Sequence, residues 1–285
     1  MSHQQTIAEI KSELAKDEFV IDVLRDKFKG KTALIISAGP SAENWREIYK
    51  KEKHNDPVII CIKQTINLID IPCDIHFVNS GNLIKYKYQP NTLSIMTRNS
   101  KAAPIFGSYD VKFQIMEDFL YKPEYYLATN ECYECYELDK TGTYRPPGPG
   151  IMHESVFHTL VHFGFKRIVT IGWDVADSKG SNSHVGAKSD GHIGSPYQPS
   201  HSKLLVELWL KKLYLFGFYK KIGFTRRQLK EAIRFFSGKR INWSGMEKGE
   251  AELTSSSIPE LINWLEKKEI KLEINSNSKW MNSKK

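Results

Sequence analysis

The chain has 285 residues, of which 40% are hydrophobic and 26% charged, and it carries a formal net charge of +8. That length holds one large domain, or a domain with a small annex, and the composition excludes a disordered or fibrous chain. The positive balance favours acidic partners: nucleotides, nucleic acid or an anionic membrane face.

No apolar run approaches the ~18 residues that a membrane span needs, and the start MSHQQTIAEIKSELAKDEF lacks a hydrophobic signal core, so a cytoplasmic location is expected. Four cysteines are too few for a disulfide scaffold. Cys132 and Cys135 form a lone C-x-x-C. A zinc site would need two more ligands, and Cys61 and Cys73 read as core residues of other segments.

In chain order, residues 6–28 carry one apolar stripe (Ile7, Ile10, Leu14, Val20, Val23, Leu24, Phe28) closed by Gly30, which predicts an N-terminal helical annex at 1–30. Thr32–Ile36 reads as a strand, followed by Ser37-Ala38-Gly39-Pro40-Ser41 and a helix near 43–51. A strand, a glycine turn and a helix open many nucleotide-binding α/β domains. Ser41 also suits a plain helix cap. Val58–Ile62 reads as a second strand ending in Lys63-Gln64-Thr65. Ile75–Val78 reads as a third, ending in Asn79-Ser80-Gly81-Asn82, and Leu93–Met96 as a fourth. Polar residues recurring after successive apolar strands suggest one crevice along the sheet's carboxyl edge. Residues 100–144 are rich in tyrosine and show no clear period, so irregular packing is expected there.

The stretch Arg145–Asp177 is the most informative. Three prolines rule out regular structure in its first residues, and Gly148 and Gly150 allow close backbone approach to a ligand. From His153 the apolar residues Val156, Phe157, Leu160, Val161 and Phe163 fall at helical spacing, and Gly164 suits the helix end. Ile168–Ile171 then reads as a strand closed by Gly172-Trp173-Asp174. A loop with outward amides at a helix N-terminus binds anions, phosphate above all. Residues 175–200 are polar and long enough for a lid, with His184, His192 and Tyr197 in it and His201 directly after. Leu204–Phe216 is strongly apolar. Lys220–Arg240 holds eight lysines and arginines with an apolar stripe, either a solvated helix face or a surface for anionic membrane or DNA. Ile258–Glu266 reads as a final helix, with a flexible tail at 276–285.

These elements predict an α/β fold: a Rossmann-like, mostly parallel sheet with flanking helices, a lid and the helical annex, in a single nucleotide-binding domain at 31–275. There is no Walker A lysine motif, no G-x-S-x-G elbow and no Asp-x-Asp metal pair, so no metal site is assigned.

The chain resembles the bacterial lipooligosaccharide sialyltransferases, CMP-sugar-dependent glycosyltransferases with a GT-A-like fold, over roughly residues 32–245. The resemblance lies in Ala38-Gly39-Pro40-Ser41 after the first strand, in Asn79, in Phe163–Asp174 with its Gly-x-Asp, and in His201-Ser202-Lys203. It implies a metal-independent inverting glycosyltransferase that moves a sugar from a CMP-sugar, with no further cofactor, to an acceptor hydroxyl. His201 would be the general base, and Gly39, Ser41, Lys63, Gln64, Asn79, Gly148, Gly150, His153, Ser155, Gly172, Trp173 and Asp174 would line the nucleotide site. The acceptor would be a glycan or a nucleic acid, and a homo-oligomer is allowed for. Three alternatives stand beside it: the same chemistry on a hydroxylated DNA base, a non-enzymatic nucleotide- or nucleic-acid-binding module, and a pterin diphosphokinase-like enzyme. The last shares the Gly-Pro-Ser and Gly-x-Asp pattern.

Overall fold

A computed structural model describes residues 2–16, 20–79, 86, 91–98, 109–115, 144–145, 151–174 and 248–276. Its centre is an eight-stranded sheet in which every neighbouring pair is parallel. The strands are β1 (Thr32–Ile36), β2 (Val58–Ile62), β3 (Ile75–Asn79), β4 (Leu93–Arg98), β5 (Val111–Ile115), β6 (Tyr144–Arg145), β7 (Arg167–Ile171) and β8 (Lys271–Asn275). Their order across the sheet is 6-5-4-3-2-1-7-8. The chain thus builds outward from β1 to β6, then crosses back to lay β7 on the other side of β1. This is the α/β, Rossmann-like arrangement expected from the sequence, and it has one topological switch point, between β1 and β7.

The sheet is parallel because both of its faces are covered. Leu34 to Ile36 and all five residues of β2 are buried, and continuous apolar runs of this kind belong to strands covered on both sides. Alternation sorts them. Ala33, Ile35, Val58, Ile60 and Ile62 enter one core, while Leu34, Ile36, Ile59 and Cys61 enter the other.

The first core takes in α1 (His3–Leu14), α2 (Val20–Leu24), α5 (Phe157–His162) and α6 (Lys248–Lys267) through Ile7, Ile10, Leu24, Phe157, Leu160, Leu261 and Leu265. The second is closed by α3 (Trp45–Glu52) and the short α4 (Thr65–Leu68) through Trp45 and Ile66. The N-terminal helices are therefore part of the main core. Phe28 stacks on Phe165 at 5.4 Å and meets Phe163 edge-on at 5.3 Å. The amides of Asp26, Phe28 and Gly30 donate to the carbonyls of His162, Phe163 and Gly164.

Gly164 ends α5 as expected. It has φ +79, and the amides of Gly164 and Phe165 return to the carbonyls of Val161 and Leu160, the paired bonds of a Schellman cap. At the opposite edge of the same connection, Arg167 at the start of β7 is clasped by Glu52 from α3 and Glu273 from β8. This tie closes the amino end of the sheet, away from the crevice. The Arg167 hydrogen bond holds Glu273 down to about 2.

Two expectations on the elements are corrected. Residues 100–144 contain β5 and β6, where irregular packing was expected. Val111, Phe113 and Ile115 alternate with Lys112 and Gln114, a strand period overshadowed by the tyrosines around it. β6 spans two residues, too few to show a period. The last helix begins at Lys248, ten residues before Ile258, with Pro259 inside it. Proline is at home in a first helical turn, and here it lies well past one. Beyond these, Lys271–Asn275, which was read as no particular element, is a strand paired with β7. Among the described residues, no helix is long and apolar enough to cross a membrane.

Candidate functional site

Parallel strands put every carboxyl end on one edge, so the ends of β3, β2, β1 and β7 stand side by side there. Asn79, Lys63, Ser37 and Gly172 follow one another along that edge. The polar strand ends, read in the sequence as one crevice, thus share one edge, whose centre is the switch point between β1 and β7.

The loops after β1 and β7 are zipped together. The Ser37 amide donates to Ile171 O (2.8 Å) and the Gly39 amide to Gly172 O (2.6 Å). The Gly172 amide donates to Ser41 Oγ (3.0 Å), whose hydroxyl donates to Asp174 Oδ1 (2.9 Å). The Ser41 amide donates to Asp174 Oδ2 (2.7 Å), and Ser276, just past β8, donates to Asp174 Oδ1. Asp174 therefore ties three segments and carries a negative charge to the 3-10 turn Pro40–Asn44, whose amide it accepts. Ser41 is not the helix cap that its type suggested. Gly39 occupies the cap position and Ser41 bridges the two loops.

Two glycines make this closeness workable. A Cβ on Gly39 would lie 2.5 Å from Gly172 O and 2.7 Å from Asp174 Oδ2. Gly172 has φ +76, and a Cβ there would lie 2.2 Å from Ser37 O. Only glycine fits either place.

The helix that follows residues 146–150 points its N-terminus at the same crevice. It runs back from the carboxyl end of β6 to the amino end of β7, so Ile151 begins it at the carboxyl edge. Its first turn, Met152–Val156, is a π-helical turn that runs on into α5. The Ser37 hydroxyl donates to Met152 Sδ at 3.5 Å, which places this helix start against the end of β1. Its first amides and the positive end of its dipole therefore lie where an anion at the switch point would sit.

Other expected site residues have different places. His153 and Ser155 are fully buried. His153 packs against Trp173 (5.5 Å) and lies 3.5 Å from Ser257 Oγ, while Ser155 donates to Ile151 O (3.2 Å). Trp173 is 5% exposed and packs on Phe157 (5.2 Å). These three side chains support the crevice from behind and do not line it; the helical period that buries Val156 and Phe157 carries His153 inward with them. Burial pushes His153 down to about 3. Lys63 and Gln64 end β2 at the crevice, and Asn79 ends β3 two strands from β1. Gly148, Gly150, His184, His192, Tyr197 and His201, with the lid and the Lys220–Arg240 stretch, lie outside the described residues.

Sequence reading passed over Ser37, Thr65, Met152 and Ser276. Thr65 braces the two central strand ends: its hydroxyl donates to Ile36 O (2.7 Å) and accepts from the Ile62 amide (2.9 Å). Its place beside Lys63-Gln64 was the available signal.

Comparison with known proteins adds one finding. Residues 5–180, more than half of the chain, match the model of the 6-hydroxymethylpterin diphosphokinase MptE-like family. The chain belongs to that family. No curated protein and no solved structure matches it. The match corrects the resemblance to sialyltransferases, and with it the glycosyltransferase reading. Gly39-Pro40-Ser41 and Gly172-Trp173-Asp174 are among the residues on which that resemblance rested, and they lie within the matched range. As the geometry shows, they fasten β1 to β7, a need of the fold that does not depend on the group transferred.

Proposed function

From membership of the MptE-like family, we propose that the chain transfers a diphosphoryl group from a nucleoside triphosphate to the hydroxymethyl oxygen of a pterin. The observation that carries the reading is the family match, which spans β1 to β7 and so the whole switch-point crevice.

The chemistry balances simply. The acceptor oxygen forms a bond to the β-phosphorus, the bond from that phosphorus to the α,β-bridging oxygen breaks, and a nucleoside monophosphate leaves. The hydroxyl proton passes to a base. Such transfer depends on positioning and on stabilising phosphate charge, more than on covalent chemistry by the protein.

The crevice suits that task. The helix start at Ile151 offers amides for phosphate oxygens beside Ser37, and the chain's +8 charge attracts a polyanion. The zipped loops of β1 and β7 fix the floor, so the amides need no reorganisation when charge develops.

A divalent cation is the usual companion of a triphosphate in this chemistry. Among the described residues no group of three histidines, cysteines or acids could hold a metal ion. The metal independence expected earlier belonged to the glycosyltransferase reading and goes with it.

The reading is tested by nucleotide-dependent melting. ATP at a hundredfold excess over its Kd should stabilise by about 2.7 kcal/mol, and 6-hydroxymethylpterin should add a further shift. Stabilisation by a CMP-sugar with none by ATP would overturn the reading.

A further inference from the structure

We propose that Lys63 and Gln64, at the carboxyl end of β2, form a polyphosphate subsite beside the β1–β7 crevice, and that His76 on β3 holds it in place. The proposal rests on the nucleoside triphosphate reading above and deepens it, by naming residues that meet the donor's phosphates.

Lys63 has φ +55, a left-handed conformation that a lysine rarely adopts and that glycine or asparagine would take more easily. The turn is over-determined by its surroundings. The Lys63 amide donates to Phe77 O at 2.8 Å, and the Lys63 carbonyl lies 2.8 Å from His76 Nε2. A carbonyl only accepts, so the proton of His76 is on Nε2. His76 is wholly buried, its ring set edge-on against Tyr86 at 4.7 Å, and burial pushes it down to about 4. It is neutral at pH 7 and serves there as a fixed donor. Strained backbone held this firmly belongs to sites where a side chain must be aimed.

The next residue adds an independent observation. Gln64 is 4% exposed, and its Nε2 is buried with no hydrogen-bond partner among the described residues. A buried amide donor left so is destabilising and calls for a partner. A phosphate oxygen would supply one. The placement also fits, because β2 is the strand next to β1, roughly 4.8 Å from it. Among the described residues, the strand ends at the switch point itself, around Ser37 and Gly172, carry no cation. Arg98, at the end of β4, stands three strands from β1. Lysine is a common point-charge partner of phosphate, and the neighbouring amide would fix one oxygen.

The test is isothermal titration of inorganic triphosphate, and separately of ATP, into the wild type, Lys63→Gly and Gln64→Leu. Lys63→Gly should weaken both ligands roughly tenfold or more, the scale of a hydrogen bond to a charged group. Its Tm should be no lower than wild type, since glycine relieves the left-handed turn. Gln64→Leu should weaken both ligands several-fold without lowering Tm. His76→Phe should weaken triphosphate in the wild type and add nothing in the Lys63→Gly background, because it acts through Lys63. Independent losses at the two positions would remove His76 from the proposal. Wild-type binding that both Lys63→Gly and Gln64→Leu retain in full would overturn the subsite and leave the proposed reaction standing. A wild type that binds neither ligand would overturn both.

Discussion

Gly172→Ala should cost the fold about 4 kcal/mol and remove nucleotide binding with it. Two terms add. Alanine in a left-handed conformation costs about 1–2 kcal/mol, and Gly172 has φ +76. The new Cβ would also lie 2.2 Å from Ser37 O and 2.7 Å from the Ala42 Cβ. Ser37 O is backbone, so no rotamer change clears it, and forced overpacking costs about 1–3 kcal/mol more. Relief would have to come by parting the β1 and β7 loops, which breaks the bonds among Gly39, Ser41, Gly172 and Asp174. Gly30 supplies the control. It has φ +77 with nothing within 4 Å of a Cβ, so Gly30→Ala should show the conformational cost alone. Urea unfolding of both variants measures the difference. Equal losses would mean that the two loops are not packed as described.

Acid should unfold the protein early, from about pH 5. His76, His153 and His158 are pushed by burial to about 4, 3 and 3. Each is neutral in the fold and takes up a proton on unfolding once the pH drops below the ordinary histidine value near 6.5. The unfolded state then binds more protons, so stability falls as pH falls, through the window from about 6.5 down to 3–4. Each site contributes about 2 kcal/mol by pH 5, and three together roughly 6 kcal/mol, a large share of an ordinary domain's 5–15 kcal/mol. Glu273 acts later. Its folded value is about 2, so its contribution is intact above the usual 4.5 and fades only below that. Unfolding free energy measured against pH between 7 and 5 separates the two. Replacing His158, which packs on Trp264 at 4.9 Å, by phenylalanine should reduce the slope by about a third. An unchanged slope would place the proton uptake elsewhere.

The parallel sheet was legible because its strands are short apolar runs bounded by glycine and polar residues. Thr32–Ile36 and Val58–Ile62 match the structure to the residue. The strands missed are those whose signal is weak: two-residue β6, and β5 and β8, whose alternation sits among tyrosines or beside the chain's end. That the polar strand ends share one edge followed from the parallel order. The role of individual residues did not. His153 and Ser155 look like loop ligands in sequence, yet the helical period that buries Val156 and Phe157 takes them into the core. Ser41 and Asp174 look like ligand contacts, and they are ties between strands 131 and more residues apart in sequence. Such long-range pairing leaves no local pattern to read. For the same reason Gly39-Pro40-Ser41 and Gly172-Trp173-Asp174 could not separate a sugar transferase from a diphosphokinase.

Phosphorus NMR of the protein with ATP and 6-hydroxymethylpterin reads the identity of the transferred group directly. AMP and a pterin carrying a diphosphate are expected in equal amounts, with neither formed when the pterin is left out. Formation of ADP with a pterin monophosphate, or a protein that leaves ATP and pterin unchanged while transferring sugar from a CMP-sugar, would contradict it.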